Sequence, residues 1–364
     1  MKLWQKIVLS LVGLLAVVVG VVCVYGIKIA GDAHTTIDNM YESVEREREP
    51  EKVVADLEAS SPFSVLLLGI DSGGLGRTEQ GRSDTTIVVT VNPQEKRTTL
   101  LSLDRDMYVE MVGKESYDKL NHAYAYGGVS MAIATVEDLL DIPINHYVTI
   151  NLQGLSDLID AVGGITVNNP HNFELDGVTL YQGEQTVNGE EGLAYARYRK
   201  YNPTTGWGDP NGDIGRQERQ REVIQQVMNK VISFDGVTKY QDILTAVENN
   251  MKTDLSWNDL LAIKDGYLSS LTDVSSYQLS GYGETRSYGY YQFLNADNLL
   301  QVQNYMRNEL GLSQLTELES SSEYTNGYNY GKMFTDQVDE NSFTFTEDES
   351  STSTTSSAAT VANN

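Results

Sequence analysis

Residues 63–70 read Phe63-Ser-Val-Leu-Leu-Leu-Gly-Ile70 and are followed by Asp71 and a glycine-rich turn. A short run that is almost wholly apolar is typical of a strand buried on both faces. Downstream, the β-branched segment Thr85–Val91 and the segment Thr98–Leu103 flank the polar turn residues 92–96, and this pattern predicts a hairpin. The three segments therefore predict neighbouring strands of a central sheet.

The rest of the body alternates between helical and strand-like spacing of apolar residues. The predicted helices are Val129–Leu140, Leu152–Val162, Gly189–Tyr198, Gly215–Ile232, Thr238–Asn249, Trp257–Ser269 and Asn295–Glu309. The further predicted strands are Tyr147–Ile150, Ile165–Val167 and Tyr277–Leu279. Because strands and helices alternate, residues 61–315 are expected to form an α/β domain with a mixed central β-sheet and helices on both faces.

The N-terminal region has the composition of a membrane anchor. Residues 7–27 carry no charge and are long enough to cross a bilayer, so they predict one transmembrane signal anchor. Lys2 and Lys6 precede the span, which predicts that residues 1–6 are cytoplasmic and that the rest lies outside the cell. A cleaved signal peptide, or a lipoprotein signal at Cys23, is the alternative. The charge-dense residues 28–60 predict an extracellular stalk.

The C-terminal region is acidic and rich in serine and threonine. Residues 317–364 hold nine acidic residues and one lysine. Such a segment buries too little apolar surface to offset its ordering entropy, so residues 316–364 are predicted to form a disordered tail. Its isolated aromatic residues leave binding of a partner open as an alternative.

The overall composition excludes several classes of function. The chain has 51 acidic and 26 basic residues and a net charge of -25, which disfavours nucleic-acid binding. Only six residues precede the predicted span, too few for a DNA-binding domain. One cysteine and four scattered histidines give no disulfide and no zinc pattern. Any chemistry is therefore expected to use carboxylates, arginines and hard cations.

The arginines are unevenly distributed. Five of the 13 lie within 25 residues, at Arg197, Arg199, Arg216, Arg219 and Arg221. Residues 192–221 carry a net charge of +3 in a strongly acidic chain. Guanidinium geometry suits phosphate or pyrophosphate, whereas surface salt bridges to nearby aspartates are the alternative.

Further charged residues lie at the predicted strand ends. Asp71 ends the first strand, Arg82 and Asp84 open the second, and Arg105 follows the third. Ligands commonly bind at such strand ends in α/β sheets. If the strands pair, Asp71 and Asp84 are close enough to hold Mg²⁺, or Mn²⁺, against phosphate oxygens. An ordinary Asx turn is the alternative for Asp71.

Several motifs, in order, resemble the LytR-CpsA-Psr family over about residues 62–235. They are Leu66–Asp71, Arg82–Thr85, Leu101–Asp106, Lys119–Tyr124, Val162–Val167, Leu193–Lys200 and Gly212–Gln220. The resemblance implies an extracytoplasmic phosphotransferase of Gram-positive cell walls. Such an enzyme moves a glycopolymer (a teichoic acid or a capsule polysaccharide) from an undecaprenyl-pyrophosphate carrier to a peptidoglycan sugar hydroxyl.

The resemblance also implies roles for individual residues. Asp71 and Asp84 are expected to hold the metal ion. Pyrophosphate binding is expected from Arg82, Arg105, Arg197, Arg199, Arg216 and Arg219, with Lys119 and Asn121 nearby. The catalytic group is expected to be Asp71, Asp84, Arg105, Arg199 and Asp213. Asp213 is expected to orient arginines or to accept the proton of the attacking hydroxyl, and the choice of base stays open.

Other readings remain at this point. A polyprenyl-pyrophosphate pyrophosphatase would use the same residues, and a non-catalytic lipid-pyrophosphate-binding protein would need only the arginines. The carrier's hydrocarbon chain needs an apolar slot, expected between the sheet and Val129–Leu140 or Leu152–Val162. The chain departs from the family pattern at Asp104, which stands where proline is usual and is expected to weaken the contact of Arg105 with phosphate. It also departs in the loop Tyr201–Asn211, which is longer than usual and could shape specificity for the acceptor or the donor.

Overall fold

The computed structural model describes residues 27–46, 56–57, 60–71, 81–232, 243, 246–267, 269–270, 274–287, 289–318 and 345–347. The predicted cytoplasmic residues 1–6 and all but the last residue of the predicted span 7–27 lie outside these ranges. Within them, no helix is long and apolar enough to cross a membrane. Most of the predicted helix Thr238–Asn249 and of the predicted tail also lies outside the described residues.

The elements follow one another in a mixed α/β order. The helices are α1 (Ile27–Met40), α2 (Leu120–Leu140), α3 (Leu152–Ala161), α4 (Gly189–Arg197), α5 (Asp213–Ile232), α6 (Trp257–Tyr267) and α7 (Ala296–Glu309). The first strands are β1 (Phe63–Ile70), β2 (Ser83–Asn92), β3 (Arg97–Leu103), β4 (Tyr108–Met111), β5 (Ser116–Lys119), β6 (His146–Asn151), β7 (Ile165–Asn169) and β8 (Phe173–Leu175). The remaining strands are β9 (Val178–Leu180), β10 (Gly183–Val187), β11 (Met251–Thr253), β12 (Val274–Leu279), β13 (Tyr282–Arg286), β14 (Gly289–Phe293) and β15 (Phe345–Glu347).

One large sheet organises the domain. In the described residues it has seven strands in the order β11-β6-β1-β2-β3-β12-β15. The pairs β1–β6 and β3–β12 are parallel, whereas β1–β2, β2–β3 and β6–β11 are antiparallel. The predicted hairpin and the predicted mixed sheet are both confirmed.

Apolar side chains of β1 point to both faces of the sheet, as the unbroken apolar run predicts. Val65 and Leu67 join a core with α3, α4, α5 and α6, whereas Leu66 and Leu68 join a second core with α2 and α7. Full burial of a leucine or valine side chain contributes about 1.5–3 kcal/mol. Helices therefore cover both faces, in agreement with the predicted fold class.

The predicted stalk is packed on the domain over part of its length. Helix α1 buries Ile37 and Met40 completely, and Asn39 donates a hydrogen bond to Glu248 at 2.5 Å. Arg46 donates to the carbonyl oxygens of Ile144 and Asn145 at 2.7 and 3.0 Å. The charge-dense sequence predicted a solvated segment because acidic and basic residues alternate in residues 45–49.

The tail also contributes to the sheet. Residues Phe345–Glu347, which fall within the segment predicted to be disordered, pair antiparallel with β12. Short two-stranded ladders, β4–β5, β7–β10, β8–β9 and β13–β14, were mostly not predicted. Their strands have three to five residues, which is too short for a two-residue alternation to be recognised.

Candidate functional site

A β-bulge between β1 and β2 positions the first acidic residue of the site. Gly69 lies opposite Thr85 and Ile70 lies opposite Ser83, so Asp84 is the extra residue on β2. Such bulges redirect a side chain and often lie beside active sites. A side chain on Gly69 would bring its Cβ within 2.9 Å of the Thr85 Cβ, so glycine permits this close pairing.

Asp71 lies next to this bulge at the end of β1. Its backbone N–H donates to the carbonyl oxygen of Arg82 at 2.9 Å, which continues the β1–β2 pairing by one residue. Both Asp71 and Asp84 line one cavity of about 290 Å³. Both residues therefore belong to the lining of the same cavity, at the paired ends of β1 and β2.

The cavity has charged walls and apolar walls. The charged side chains are Asp71, Asp84, Arg105, Arg197, Arg199 and Arg216. The apolar lining residues come from the sheet and from α3, α4 and α5, and are Leu67, Leu68, Ile70, Ile87, Val148, Ile150, Leu152, Leu155, Leu193, Ala196 and Ile224. Thr85, Asn151 and Gln220 add polar groups. Of the two places considered for an apolar slot, the cavity lies against helix Leu152–Ala161, and no residue of Val129–Leu140 lines it.

Asp213, the first residue of α5, connects three of the arginines. Its carboxylate accepts from Arg105 at 3.1 Å and from Arg216 at 2.9 Å, and Arg199 Nη1 lies 3.5 Å away. Charge-assisted hydrogen bonds of this kind fix guanidinium orientation. The structure therefore places Asp213 behind the arginines, which supports the orienting role among the two that the sequence left open.

Asp84 is held by a second set of contacts. Its Oδ1 accepts from Arg105 Nη1 and from Asn121 Nδ2, both at 3.0 Å. Burial alone would raise the pKa of Asp84, but the charges of Arg105 and Arg216 and these hydrogen bonds outweigh it, so the pKa lies below its usual range. Asp84 is therefore ionised and can bind a cation.

Burial acts differently on Arg216. Only 5% of its side chain is exposed, and burial together with the charges of Arg105 and Arg199 lowers its pKa in spite of Asp213 and Asp84. Its Nε is buried and has no acceptor among the described residues. Packing three guanidinium groups together is unfavourable without anions, so an anionic ligand would stabilise this arrangement.

Not every predicted site residue lines the cavity. Asn121 contacts Asp84, and Lys119 donates to Asp106 at 2.6 Å, so both lie beside the charged cluster. Arg82 is exposed, and its side chain is not among those lining the cavity. The sequence placed Arg82 at a strand end, and the family resemblance implied a place near the site for Lys119 and Asn121, but neither resolved which side chains face the cavity.

Arg219 has a different position from the one predicted. It is 3% exposed, pairs with buried Asp209, and donates to the backbone carbonyl oxygens of Tyr195 and Tyr198. Its guanidinium also lies 3.5 Å from the centre of the Tyr198 ring. Arg219 therefore fastens α5 to the end of α4, and the structure does not place it as a pyrophosphate ligand.

Two residues of α5 that line the cavity were missed. Gln220 and Ile224 follow Arg216 at intervals of four residues, so all three share one helix face. This spacing was available in the sequence, because Arg216 alone identifies the face that points to the site.

Asp104, whose charge was expected to weaken the contact of Arg105 with phosphate, has a buried carboxyl group that lies against Gln217. Its side chain is 2% exposed and accepts a hydrogen bond from the Gln217 amide. Burial raises the pKa of Asp104, although the hydrogen bonds of neighbouring amides oppose that effect.

We expect Asp104→Asn to stabilise the protein at alkaline pH. Because folding raises the pKa of Asp104, its stabilising contribution is complete below the unfolded pKa of about 3.9 and is lost as pH rises through the folded pKa. Asparagine does not ionise, so the variant avoids this loss of stability, and its side-chain oxygen still accepts the hydrogen bond from Gln217. Thermal unfolding from pH 3 to pH 8 should show a melting temperature raised by about 2–4 °C at pH 8, the shift for about 1 kcal/mol, and no such increase at pH 3. Exposed Asp297→Asn is the control, and an unchanged pH slope in Asp104→Asn would contradict the prediction.

The acidic residues of the cavity fit a hard cation. Within the described ranges, no group of three histidine, cysteine or acidic residues could hold a metal ion. Mg²⁺ is commonly bound by one or two carboxylates, with phosphate oxygens and water as the remaining ligands. Asp71 and Asp84 supply such a pair, so the donor set fits an ion that binds together with a phosphorylated ligand.

The fold and the cavity together define a class of protein: an α/β protein in which one cavity has both guanidinium groups and apolar walls. The profile of the LytR_cpsA_psr family matches residues 27–308. The chain belongs to this family, which confirms the resemblance drawn from its motifs.

Individual relatives are similar over most of the chain. The polyisoprenyl-teichoic acid--peptidoglycan teichoic acid transferase TagU of Enterococcus faecalis is 48% identical over 306 residues, which are 84% of this chain and 98% of that protein. The crystal structure of Bacillus subtilis TagU has a TM-score of 0.53 at 37% identity and covers 70% of this chain and 99% of its own. TagT bound to LIIa-WTA has a TM-score of 0.60 at 34% identity, with coverages of 74% and 100%.

Proposed function

We propose that this protein is a phosphotransferase that moves a glycopolymer from a polyprenyl-pyrophosphate carrier to a sugar hydroxyl of peptidoglycan during cell-wall assembly. One observation carries the proposal: Arg105, Arg197, Arg199 and Arg216 share a cavity with a wall of leucine, isoleucine and valine side chains. A pyrophosphate joined to a hydrocarbon chain needs both surfaces at once. The names of the TagU relatives support the same activity.

The arginines suit the charge that develops during transfer. The acceptor oxygen forms a bond to the phosphorus that carries the glycopolymer, and the bond from that phosphorus to the bridging oxygen breaks. Polyprenyl phosphate leaves with the electron pair, and the hydroxyl proton passes to a base. Guanidinium groups oriented beforehand by Asp213 stabilise the added negative charge without reorganisation.

The apolar walls suit the carrier. Each buried methylene group of a hydrocarbon chain contributes about 0.8 kcal/mol. The walls formed by Leu152, Leu155 and Ile224 therefore hold the part of the carrier next to the pyrophosphate. Residues 7–27 would anchor the enzyme in the cell membrane of a Gram-positive bacterium, with the α/β domain outside, beside its membrane-bound donor. A capsule polysaccharide stays an alternative to a teichoic acid as the polymer.

We infer that Mg²⁺, or Mn²⁺, is the cofactor and that Asp71 and Asp84 hold it. When bound, the ion would neutralise phosphate charge during transfer. The low pKa of Asp84 keeps this carboxylate ionised for the ion, and the Asn121 amide and Arg105 fix its orientation.

Removal of divalent metal should stop the reaction. We expect treatment with EDTA to lower the transfer rate at least about 100-fold, because an unscreened pyrophosphate repels both carboxylates and the attacking oxygen. Added Mg²⁺ or Mn²⁺ should restore it, and Asp71→Asn should raise the Mg²⁺ concentration needed for half-maximal rate. Full activity after chelation and dialysis would rule out the metal assignment.

The activity itself can be tested with the full-length chain in detergent. The assay contains Mg²⁺, a polyprenyl-pyrophosphate-linked glycan and peptidoglycan oligomers, and mass spectrometry follows the products. A glycan–phosphate–peptidoglycan adduct that is lost in Asp84→Ala and Arg199→Ala would establish the transferase. Phosphoglycan released to water without an adduct would instead establish a pyrophosphatase, and lipid that is bound but never turned over would establish a binding protein.

A further inference from the structure

A second depression lies beside the catalytic cavity and has no role in the transfer described above. It is a groove of about 660 Å³. Arg197 and Arg199 line both the groove and the cavity. The other groove residues are Phe173, Glu174, Leu175, Tyr198, Lys200, Asn202, Thr205, Trp207 and Gly208. The shared arginines make the two depressions neighbours, so a ligand whose phosphate binds these arginines can extend into the groove.

The loop of residues 200–208 that forms one side of the groove has a defined shape. Asn202 and Trp207 are joined by a backbone hydrogen bond of 2.8 Å, and Asn202 Oδ1 accepts from the Thr204 N–H at 2.9 Å. Gly208 donates to the Asn172 carbonyl oxygen at 2.7 Å and has a φ of +90°. A Cβ at Gly208 would lie 1.8 Å from the Lys200 carbonyl oxygen, so glycine is required for this loop to close.

The lining of the groove combines an aromatic ring with polar groups. Trp207 is half-buried and meets Tyr181 edge to face, with ring centres 6.2 Å apart. Tyr181 does not line the groove itself, but it lies against the Trp207 ring and is 63% exposed. Asn202 and Thr205 add amide and hydroxyl groups. Aromatic faces beside a few hydrogen-bonding groups suit a ring that has both C–H faces and hydroxyls.

The neighbouring cavity suits such a ligand less well. Apart from its charged residues and from Thr85, Asn151 and Gln220, it is lined by leucine, isoleucine, valine and alanine, which offer sugar hydroxyls no hydrogen-bonding side chains. A sugar attached to the phosphate, or one attacking it, must nevertheless lie within a few bonds of the arginines. The groove is the polar surface that begins at those same guanidinium groups.

We propose that the groove is a subsite for pyranose sugars of a glycan chain and that loop 200–208 determines which glycan is accepted. The inference rests on the proposed transfer function, and it identifies where the sugar next to the transferred phosphate lies. The same chemistry is present in the sugars of the donor polymer and in those of the peptidoglycan acceptor. Trp207 supplies the stacking face, and Asn202 and Thr205 supply hydrogen bonds.

Binding of glycans that lack phosphate tests this subsite separately from catalysis. Full-length protein in detergent is titrated calorimetrically with peptidoglycan oligomers and, separately, with dephosphorylated glycopolymer. We expect at least one glycan to bind, and to bind at least 10-fold more weakly to Trp207→Ala and to Tyr181→Ala. Tyr282→Ala, which removes an exposed tyrosine of β13 outside the groove, is the matched control and should bind like wild type.

Steady-state kinetics then distinguish the two glycans. If the groove holds the acceptor, Trp207→Ala raises KM for peptidoglycan oligomers with little change in KM for the donor, and the reverse result assigns the donor. Unchanged melting temperature and unchanged binding of undecaprenyl pyrophosphate exclude misfolding of either variant. Glycan binding that depends on Trp207 without any transfer would refute the proposed function and retain the subsite. Binding of neither glycan, or equal binding by all variants, overturns the subsite.

Discussion

Arg105→Ala should lower the rate of glycan transfer by about 10²–10³-fold, which is the loss typical of removing one oriented group that stabilises transition-state charge. Arg105 lines the cavity, and its Nη1 and Nε contact Asp84 and Asp213 at 3.0 and 3.1 Å. Its removal takes away a positive charge and leaves two carboxylates facing the incoming pyrophosphate. Transfer of glycan to peptidoglycan oligomers at saturating substrate measures the effect in kcat.

A conservative variant and a matched control test whether the loss of rate is specific to the Arg105 guanidinium. Arg105→Lys should recover only part of the rate, because an ammonium group cannot contact Asp84 and Asp213 with the planar geometry of guanidinium. Arg286→Ala removes a partly buried arginine that pairs with Glu284 at 2.9 Å outside the cavity, and should leave the rate unchanged. Folded Arg105→Ala that keeps more than a tenth of the wild-type rate would show that this arginine is not part of the catalytic group.

The site combines residues that are far apart in sequence through a single carboxylate. Asp213 begins α5, Arg105 follows β3, and Arg199 lies beyond α4. Because the Asp213 carboxylate contacts Arg105, Arg199 and Arg216, a small shift of α5 changes several contacts at once. Arg219 and Asp209 restrain the same helix against the end of α4. The geometry of the cavity arginines therefore depends on buried contacts outside the cavity.

The sequence predicts the central sheet well because its strands carry a strong apolar signal. The run Phe63–Ile70 and the hairpin that follows it match β1, β2 and β3 to within two residues. The same is true of helix α3, whose apolar face is narrow and regular. In contrast, the packing of Ile37 and Met40 on the domain follows from contacts with distant elements, and no local pattern in residues 28–60 reveals it.

Prediction of the site succeeds where a motif fixes the position of the backbone. It fails where contact with a distant residue determines the direction of the side chain. Asp84 and Arg216 follow from motifs at a strand end and on a helix face, and both line the cavity. Arg219 shares the helix with Arg216, three residues later, and this spacing suggested a common role. Arg219 instead forms an ion pair with Asp209. The loop that contains Asp209 is positioned by tertiary contacts, which the local sequence does not reveal.

Arg219→Ala should reduce the free energy of unfolding by about 3–5 kcal/mol, the cost of removing one partner of a buried ion pair. The change leaves Asp209, which is 2% exposed, without its cationic partner. It also removes hydrogen bonds to the carbonyl oxygens of Tyr195 and Tyr198 and the packing of guanidinium on the Tyr198 ring. Chemical denaturation at pH 7 measures the loss.

Arg197→Ala provides the contrast, because its partner Asp176 is 47% exposed and exposed pairs contribute about 0–1 kcal/mol. The double variant Asp209→Leu/Arg219→Met should recover much of the lost stability, since it leaves no unpaired buried charge. If this double variant also binds polyprenyl pyrophosphate as tightly as wild type, Arg219 acts by holding α5 in place. A loss below 1 kcal/mol in Arg219→Ala, or a folded double variant that cannot bind the pyrophosphate, would instead return Arg219 to the ligand-binding group.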